Sequence, residues 1–245
     1  MKYKKLLVLY FILWIVFFEF ILPVNNILPK PSIVLLSFSD LWKDYNLPIN
    51  FISTVTSIYI SLVAAYFLVR FFISGFLRKG SFLSEFIFSL EWFSEFVPGI
   101  VIGLLLVFWF PQSEIIEFVF AFLTAFISML IFVQNEIKKV PEEYATSVIS
   151  LGVNENKINR SVLWKAVQPS LIKHILTLHF YIWSMMLAFE FIKRGFGLGS
   201  LFRDALEFRD LSALFSIFLI TGVTIYLGTA FIKYIKNKFF NWSAY

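Results

Sequence analysis

Acidic side chains inside strongly apolar stretches are the first candidates for chemistry in this chain, since ionisable residues at membrane depth are rare and usually functional. Glu91 and Glu95 lie four residues apart, so they share one face of a helix, with Pro98 about one turn further on. That face predicts a polar lining or a gate of a pathway. A pair of glutamates at a membrane interface is the alternative, and the sequence leaves both interpretations open.

Glu190 precedes the glycine-rich stretch "GFGLG". We predict that its carboxylate pairs with Lys193 or Arg194 across one helical turn and stabilises a tight turn, whose structural residues would be Glu190, Gly197 and Gly199. The glycines superficially resemble a phosphate-binding loop. However, they follow an apolar run without a strand, and the chain contains no G-x-x-x-x-G-K-[ST] sequence, so we expect no nucleotide there.

Other catalytic and metal-binding patterns are weak. His174 and His179 are five residues apart and share no helix face, which favours two interface histidines over a metal site. The chain has no cysteine, so disulfides and cysteine-ligated metals are excluded, and we expect no cofactor on this chain. An intramembrane protease of the CAAX type would need E-E-x-x-x-R, whereas "EEYATS" ends at Ser147. The G-x-S-G sequence of a rhomboid-type protease does not occur.

The elements that position these residues are predicted to be membrane helices. The 245 residues are 59% hydrophobic and only 15% charged, against about 25% charged residues in a typical soluble domain. Apolar runs of about 20 residues mark membrane spans. We therefore predict an all-α, polytopic membrane protein with a single domain, residues 1–245, and six spans: Leu6–Leu22, Phe51–Ile73, Phe86–Phe110, Glu114–Asn135, Ile172–Ile192 and Leu211–Ile235. The first span lacks a small-residue cleavage site, so we expect it to be retained.

The distribution of Lys and Arg predicts the orientation of the spans, because cytoplasmic loops are rich in these residues. The two termini and the connections after the second and fourth spans together carry fifteen of them, and the opposite side carries six. Both termini and the long polar connection between the fourth and fifth spans are therefore predicted to face the cytoplasm.

That connection, approximately residues 136–171, is too long to be a simple link between helices. In "PEEYATSVISLG" a proline and two acids favour a helix start, and Gly152 can end the helix. Ala145, Val148 and Ile149 form one apolar stripe, and Asn154 can begin a second short helix that ends before Pro169. Two such helices can dock into another protein or lie on the lipid surface.

The same connection resembles the coupling loop of ABC-importer permeases, whose pattern is E-A-A-x-x-x-G, nine residues, an aliphatic residue, x-L-P, and often a second proline. Gly152, Val162 and Pro169 match the glycine, the aliphatic position and the second proline. The chain departs from the pattern where "TSV" stands in place of E-A-A and "WK" in place of L-P. The glutamate that often pairs with the ATPase is therefore absent, or it is replaced by Glu142 or Glu143.

Two further stretches resemble the nitrate, sulfonate and taurine type of this permease family. "LPKPSIVLLSFSDLW" is similar to its L-P-x-P-x-x-V segment, and Glu190 with "GLG" is similar to its A-E-x-x-x-x-x-x-G-L-G stretch. The basic tail "NKFFNW" also resembles the tail of that family, so that the likeness covers residues 28–242.

The resemblance implies the permease subunit of an ATP-driven importer in a bacterial inner membrane. It implies a second permease chain, identical or related, a cytoplasmic ABC ATPase dimer that carries ATP and Mg, an extracytoplasmic solute-binding protein, the lipid bilayer, and no nucleic acid. The expected coupling residues are Glu142, Glu143, Tyr144, Ala145, Val148, Ile149, Gly152, Val153 and Asn154. An intramembrane enzyme, or a passive channel or scaffold that binds a partner through the loop, is the alternative. Few basic residues lie within the spans, which argues against a small, multiply charged anion as the cargo.

Overall fold

The computed structural model describes residues 2–22, 28–72, 82–140 and 163–240. Every regular element in these ranges is a helix. In chain order they are α1 (Lys2–Ile15), which continues into a π-helix (Val16–Ile21), α2 (Pro31–Lys43), α3 (Leu47–Phe72), α4 (Phe82–Phe96), α5 (Gly99–Trp109), α6 (Ile115–Ile137), α7 (Trp164–Lys193), α8 (Leu198–Glu207) and α9 (Leu211–Phe239).

Four of these helices are long and apolar enough to cross a membrane: α3, α6, α7 and α9, with 26, 23, 30 and 29 residues. At a rise of about 1.5 Å per residue each exceeds the roughly 30 Å of a bilayer core. The chain is therefore an all-α, polytopic membrane protein, as the hydropathy of the sequence predicts. The apolar part of the first helix, Val8–Ile21, is shorter than these four helices, and its side chains are largely exposed.

The predicted continuous third span, Phe86–Phe110, is broken. The helices Ser84–Phe96 and Gly99–Trp109 meet at an angle of 94°. The break follows from Pro98, which has no backbone N–H to donate and disfavours helical geometry in the residue before it. A prediction from hydropathy alone passes over such a bend because both sides of the proline are equally apolar.

The two halves of this bent pair contact α6 toward its opposite ends. Near the end of α6, Gln134 Nε2 donates to the carbonyl of Ser84 at 3.4 Å. Near the start of α6, Gly103 packs so closely that a Cβ there would lie 2.9 Å from Phe120 and 3.0 Å from Phe189. The described residues therefore hold four continuous candidate spans, or five if the bent pair α4–α5 is counted as one.

Side-chain pairs fix the directions of the long helices. Thr54, Tyr59 and Tyr66 of α3 contact Glu190, His179 and Gln168 of α7, so α3 and α7 are antiparallel. The helices α3, α6 and α9 begin at one end of the bundle, where α7 ends; we call this the turn end. The opposite end, where α6 ends and α7 begins, is the loop end. Residues 141–162 connect α6 to α7 there and lie outside the described residues.

The helix α7 begins at Trp164, which is earlier than the predicted span, and it contains Pro169. Residues 164–168, which were expected to close the second coupling helix, belong instead to α7, and the earlier part of that predicted helix lies outside the described residues. A hydropathy scan misses the first turns of α7 because they contain charged and polar residues. Burial of Trp164 and Val167 stabilises these turns.

Candidate functional site

Glu190 lies at the centre of a buried polar network at the turn end. Its side chain is fully buried and accepts hydrogen bonds from Thr54 Oγ1 at 2.7 Å and from the backbone N–H of Gly199 at 2.9 Å. Because a buried carboxylate without partners would be strongly destabilising, these two donors make its position in α7 possible.

Two side chains of α3 complete the network at the start of α8. Asn50 Oδ1 accepts from the N–H of Gly197 at 2.8 Å, and Thr54 Oγ1 accepts from the N–H of Leu198 at 2.8 Å. The first N–H groups of a helix have no partner within that helix. The turn network of Asn50, Thr54 and Glu190 therefore caps α8 through tertiary contacts.

The glycines of the turn are required by this close packing. Gly197 has a φ of 116°, a conformation that residues with a Cβ rarely adopt. A Cβ at Gly199 would overlap the backbone carbonyl oxygen of Leu187, and one at Gly197 would overlap the Glu190 carboxylate. The residues predicted as a structural turn are thus in contact with one another.

The predicted partner of Glu190 is wrong. Lys193 Nζ instead donates to Glu117 Oε1 of α6 at 2.8 Å, and both side chains are about 5% exposed or less. Ser53 Oγ donates to the second Glu117 oxygen at 2.7 Å. Arg194 is exposed and reaches a carboxylate of α8 at 3.9 Å. Glu190 faces α3, whereas Lys193 faces α6, so the spacing of three residues along α7 does not bring them together.

The two histidines contact different helices. His179 is buried, with its Nε2 at 3.0 Å from the Tyr59 hydroxyl and accepting from Trp183 Nε1 at 3.1 Å. His174 Nε2 lies 3.1 Å from Ser128 Oγ of α6. No group of three or more side chains suited to hold a metal occurs in the described ranges.

A cavity of about 710 Å³ lies between α4–α5, α6 and α7. It runs along α6 from Phe120 toward the loop end, where Glu136 and Lys139 form an ion pair. Its lining is mostly apolar. The aromatic rings are those of Phe93, Phe120, Phe132, His174 and Tyr181, and the uncharged polar side chains are those of Ser94, Thr124, Ser128 and Asn135.

The predicted pathway residues do not line this cavity: Glu91 and Glu95 lie on α4 next to lining residues, and Pro98 lies at the bend between α4 and α5. Glu91 is half-buried, and its Oε1 accepts from Asn135 Nδ2 of α6 at 2.7 Å. Glu95 is exposed and so is Pro98, where the span bends. The carboxylates therefore differ: Glu91 contacts a lining residue, and Glu95 does not share that contact.

Several residues of the turn network and of the cavity lining were not identified from the sequence. Glu117 carried a usable signal, since it is an acid near the start of the apolar run "IIEFVFAFL". No sequence signal marks Thr54, Ser128 or Asn135, because single hydroxyl and amide side chains are common in membrane helices. The predicted coupling residues Glu142, Glu143, Tyr144, Ala145, Val148, Ile149, Gly152, Val153 and Asn154 lie outside the described residues.

Outside the spans, at the turn end, the segment before α3 contacts the segment before α9. Asp210 caps α9 by accepting from Ala213 N at 3.0 Å and from Ser212 Oγ at 2.7 Å, and Tyr45 Oη donates to it at 3.3 Å. Burial, together with the charge of Asp210, raises the pKa of Tyr45 to about 12. Burial alone would raise the pKa of Asp210, but its hydrogen bonds outweigh this and lower it.

Comparison with known proteins gives one match. The model of the family described as "Binding-protein-dependent transport system inner membrane component" matches residues 71–240, from the end of α3 through α9. The match therefore includes the cavity, the turn network apart from its α3 residues, and the connection between α6 and α7. Neither a search of curated proteins nor a search of solved structures finds a match.

Proposed function

Because the chain belongs to the inner membrane components of binding-protein-dependent transport systems, we propose that it is the permease subunit of an ATP-driven importer. It forms the substrate pathway, and a separate cytoplasmic ATPase dimer binds ATP and Mg and drives the transport cycle. The chain is a transport subunit and not an enzyme. The matched family is broader than its nitrate, sulfonate and taurine type, so that subtype remains a prediction.

The observation that carries the proposal is the family match across both the cavity and the α6–α7 connection. A permease must alternate between two states, and it needs an energy source that distinguishes them. A connection at the loop end, docked into the ATPase, supplies that coupling. Glu142, Glu143, Tyr144, Ala145, Val148, Ile149, Gly152, Val153 and Asn154 are the residues proposed to dock.

The packing at the start of α7 supports a rigid lever. Trp164 is 2% exposed, and its ring centroid lies 5.3 Å from that of Tyr66 on α3. Gln168 Nε2 donates to the Tyr66 hydroxyl at 2.9 Å. A displacement of the loop would therefore move α7 against α3, along the helix that lines the cavity with His174 and Tyr181.

Assembly and orientation provide the test of the proposal. Two permease chains, identical or related, are expected with two ATPase chains on the cytoplasmic side and a solute-binding protein on the other side. The ATPase should co-purify with this chain from detergent. Reporter fusions after residue 80, near 155 and after 240 should read cytoplasmic, and fusions near 45 and 205 external. An external signal from residue 155 would overturn the proposal.

A further inference from the structure

We propose that the cavity between α4–α5, α6 and α7 holds the transported molecule, and that this molecule is a small, uncharged aromatic ring compound with hydrogen-bonding groups at its edge. The inference rests on the proposed function, since it assigns a cargo class to the pathway. At about 710 Å³ the cavity has the size that small-molecule sites usually have.

The aromatic character of the lining comes from three helices. Phe93 lies on α4, Phe120 and Phe132 on α6, and Tyr181 on α7. The Phe132 ring stacks on His174 with 4.1 Å between centroids and 8° between planes, which makes one flat double layer in the wall. Aromatic rings gain attraction from stacked or edge contacts with other rings, beyond what simple burial gives. A planar ring therefore matches this wall better than a saturated one.

The polar groups of the lining suit the edge of such a ring. Ser128 and His174 bond to each other and can re-orient toward a ligand, because a hydroxyl can both donate and accept. The Tyr181 side chain is 46% exposed, and its hydroxyl has no hydrogen-bond partner among the described residues. Asn135 is held by Glu91 at the loop end of the cavity. These groups offer a few hydrogen bonds at separate points around an apolar space.

The charges of the lining disfavour an ionic cargo. The described lining contains one cation, Lys139, and one anion, Glu136, and these two form an ion pair with each other. Outside the lining, Asn135 donates to the Glu91 carboxylate and accepts from Lys138 Nζ at 3.4 Å, so the neighbouring charges are also one of each sign. An anion or a cation that enters the cavity would lose water and find no unpaired opposite charge in that lining.

A single introduced thiol can report on the occupant, because the natural chain has no cysteine. Thr124→Cys places the thiol in the cavity, and Leu206→Cys places it on α8, at a position that is 54% exposed, lies outside the spans and does not line the cavity. The assembled transporter is treated with a water-soluble methanethiosulfonate reagent, and labelling of this chain is followed by mass spectrometry. Thr124→Cys should be labelled, since a pathway for the cargo must admit a water-soluble molecule. Absence of labelling would overturn the proposal.

Four matched probes then separate charge from aromaticity: benzamide, benzenesulfonate, benzylammonium and the saturated cyclohexanecarboxamide. Benzamide should slow the labelling of Thr124→Cys several-fold more than the other three, with no change in the labelling of Leu206→Cys. Phe132→Leu should raise the benzamide concentration that gives half-protection by roughly two- to tenfold, through loss of the stacked ring.

Stronger protection by benzenesulfonate or benzylammonium would contradict an uncharged cargo. Equal protection by cyclohexanecarboxamide would contradict an aromatic one. If no probe protected the thiol, the cavity would not be the cargo site. Co-purification with the ATPase would still support the permease assignment. The failure of this inference and that of the proposed function are therefore distinguishable.

Discussion

The turn end and the cavity use similar residues in opposite ways. At the turn end, Glu190, Glu117 and Lys193 are almost fully buried, and each has charged or hydrogen-bonding partners on a neighbouring helix. Along the cavity, Ser128, Asn135 and Tyr181 border open space. Fully satisfied buried networks rigidify a fold. The comparison indicates that the turn end holds the helices together, whereas the polar groups of the proposed cargo site border open space.

The largest effect is expected from breaking the ion pair at the turn end. Lys193→Met leaves the Glu117 carboxylate buried without its cation and should lower the free energy of unfolding by about 3–5 kcal/mol. Thermal unfolding in detergent measures the loss. The double variant Glu117→Gln with Lys193→Met removes both charges and should recover part of the stability. A single variant as stable as the parent would mean that the pair is not buried as described.

The glycine turn should be the next most sensitive point. Gly199→Ala forces a Cβ against the Leu187 carbonyl oxygen, which belongs to the backbone and cannot move aside cheaply. Overpacking of this kind costs roughly 1–3 kcal/mol, so a lower melting temperature and a lower yield in the membrane are expected. Gly222→Ala in α9 is the matched control, because its added Cβ meets no atom within 4 Å. Equal losses from both variants would contradict a special role for the turn.

A smaller effect is expected from the cap of α9. Asp210→Ala removes the acceptor for Ala213 N and should cost about 1 kcal/mol. The folded pKa of Asp210 lies below its ordinary value of 3.8. The contribution of Asp210 to the free energy of unfolding is therefore fully present above pH 3.8 and is lost as the pH falls through the folded pKa. Melting temperatures from pH 7 to about pH 3 should converge for parent and variant. A constant difference across this range would contradict the assignment.

The smallest effect on stability is expected at the cavity. Ser128→Ala removes only the hydrogen bond to His174, beside open space, and should change the free energy of unfolding by less than about 1 kcal/mol. Thr54→Val at the turn network removes a buried donor to Glu190 and should cost more. If the order of these two melting temperatures were reversed, the contrast between the two regions would fail.

The fold could be predicted from the sequence wherever apolar runs are continuous. The predicted span Phe51–Ile73 corresponds to α3 and Glu114–Asn135 to α6, with ends that differ by a few residues. The bend at Pro98 could not be predicted, because hydropathy does not report direction. The start of α7 was placed too late, because its polar first turns are stabilised by tertiary burial of Trp164.

The candidate site was predicted less completely, since sequence spacing describes only one helix at a time. Glu190 and Gly199 are near in sequence and could be linked to one turn. The partners of Glu117 and of Glu190 come from other helices, and nothing in a single sequence indicates which helices pack together. The cavity likewise depends on how α4 lies against α6.

The central claim is that this permease is coupled to a separate ATPase through the α6–α7 connection. The most direct measurement is ATP hydrolysis by the reconstituted complex, with and without the loaded solute-binding protein, together with transport. Gly152 is proposed to adopt a positive φ, which costs a residue with a Cβ roughly 1–2 kcal/mol. Gly152→Val should therefore leave the chain inserted and abolish stimulation and transport together, whereas Gly222→Val, whose position is open, should retain both. Unchanged stimulation and transport in Gly152→Val would contradict coupling through this segment and favour helices that lie on the lipid surface.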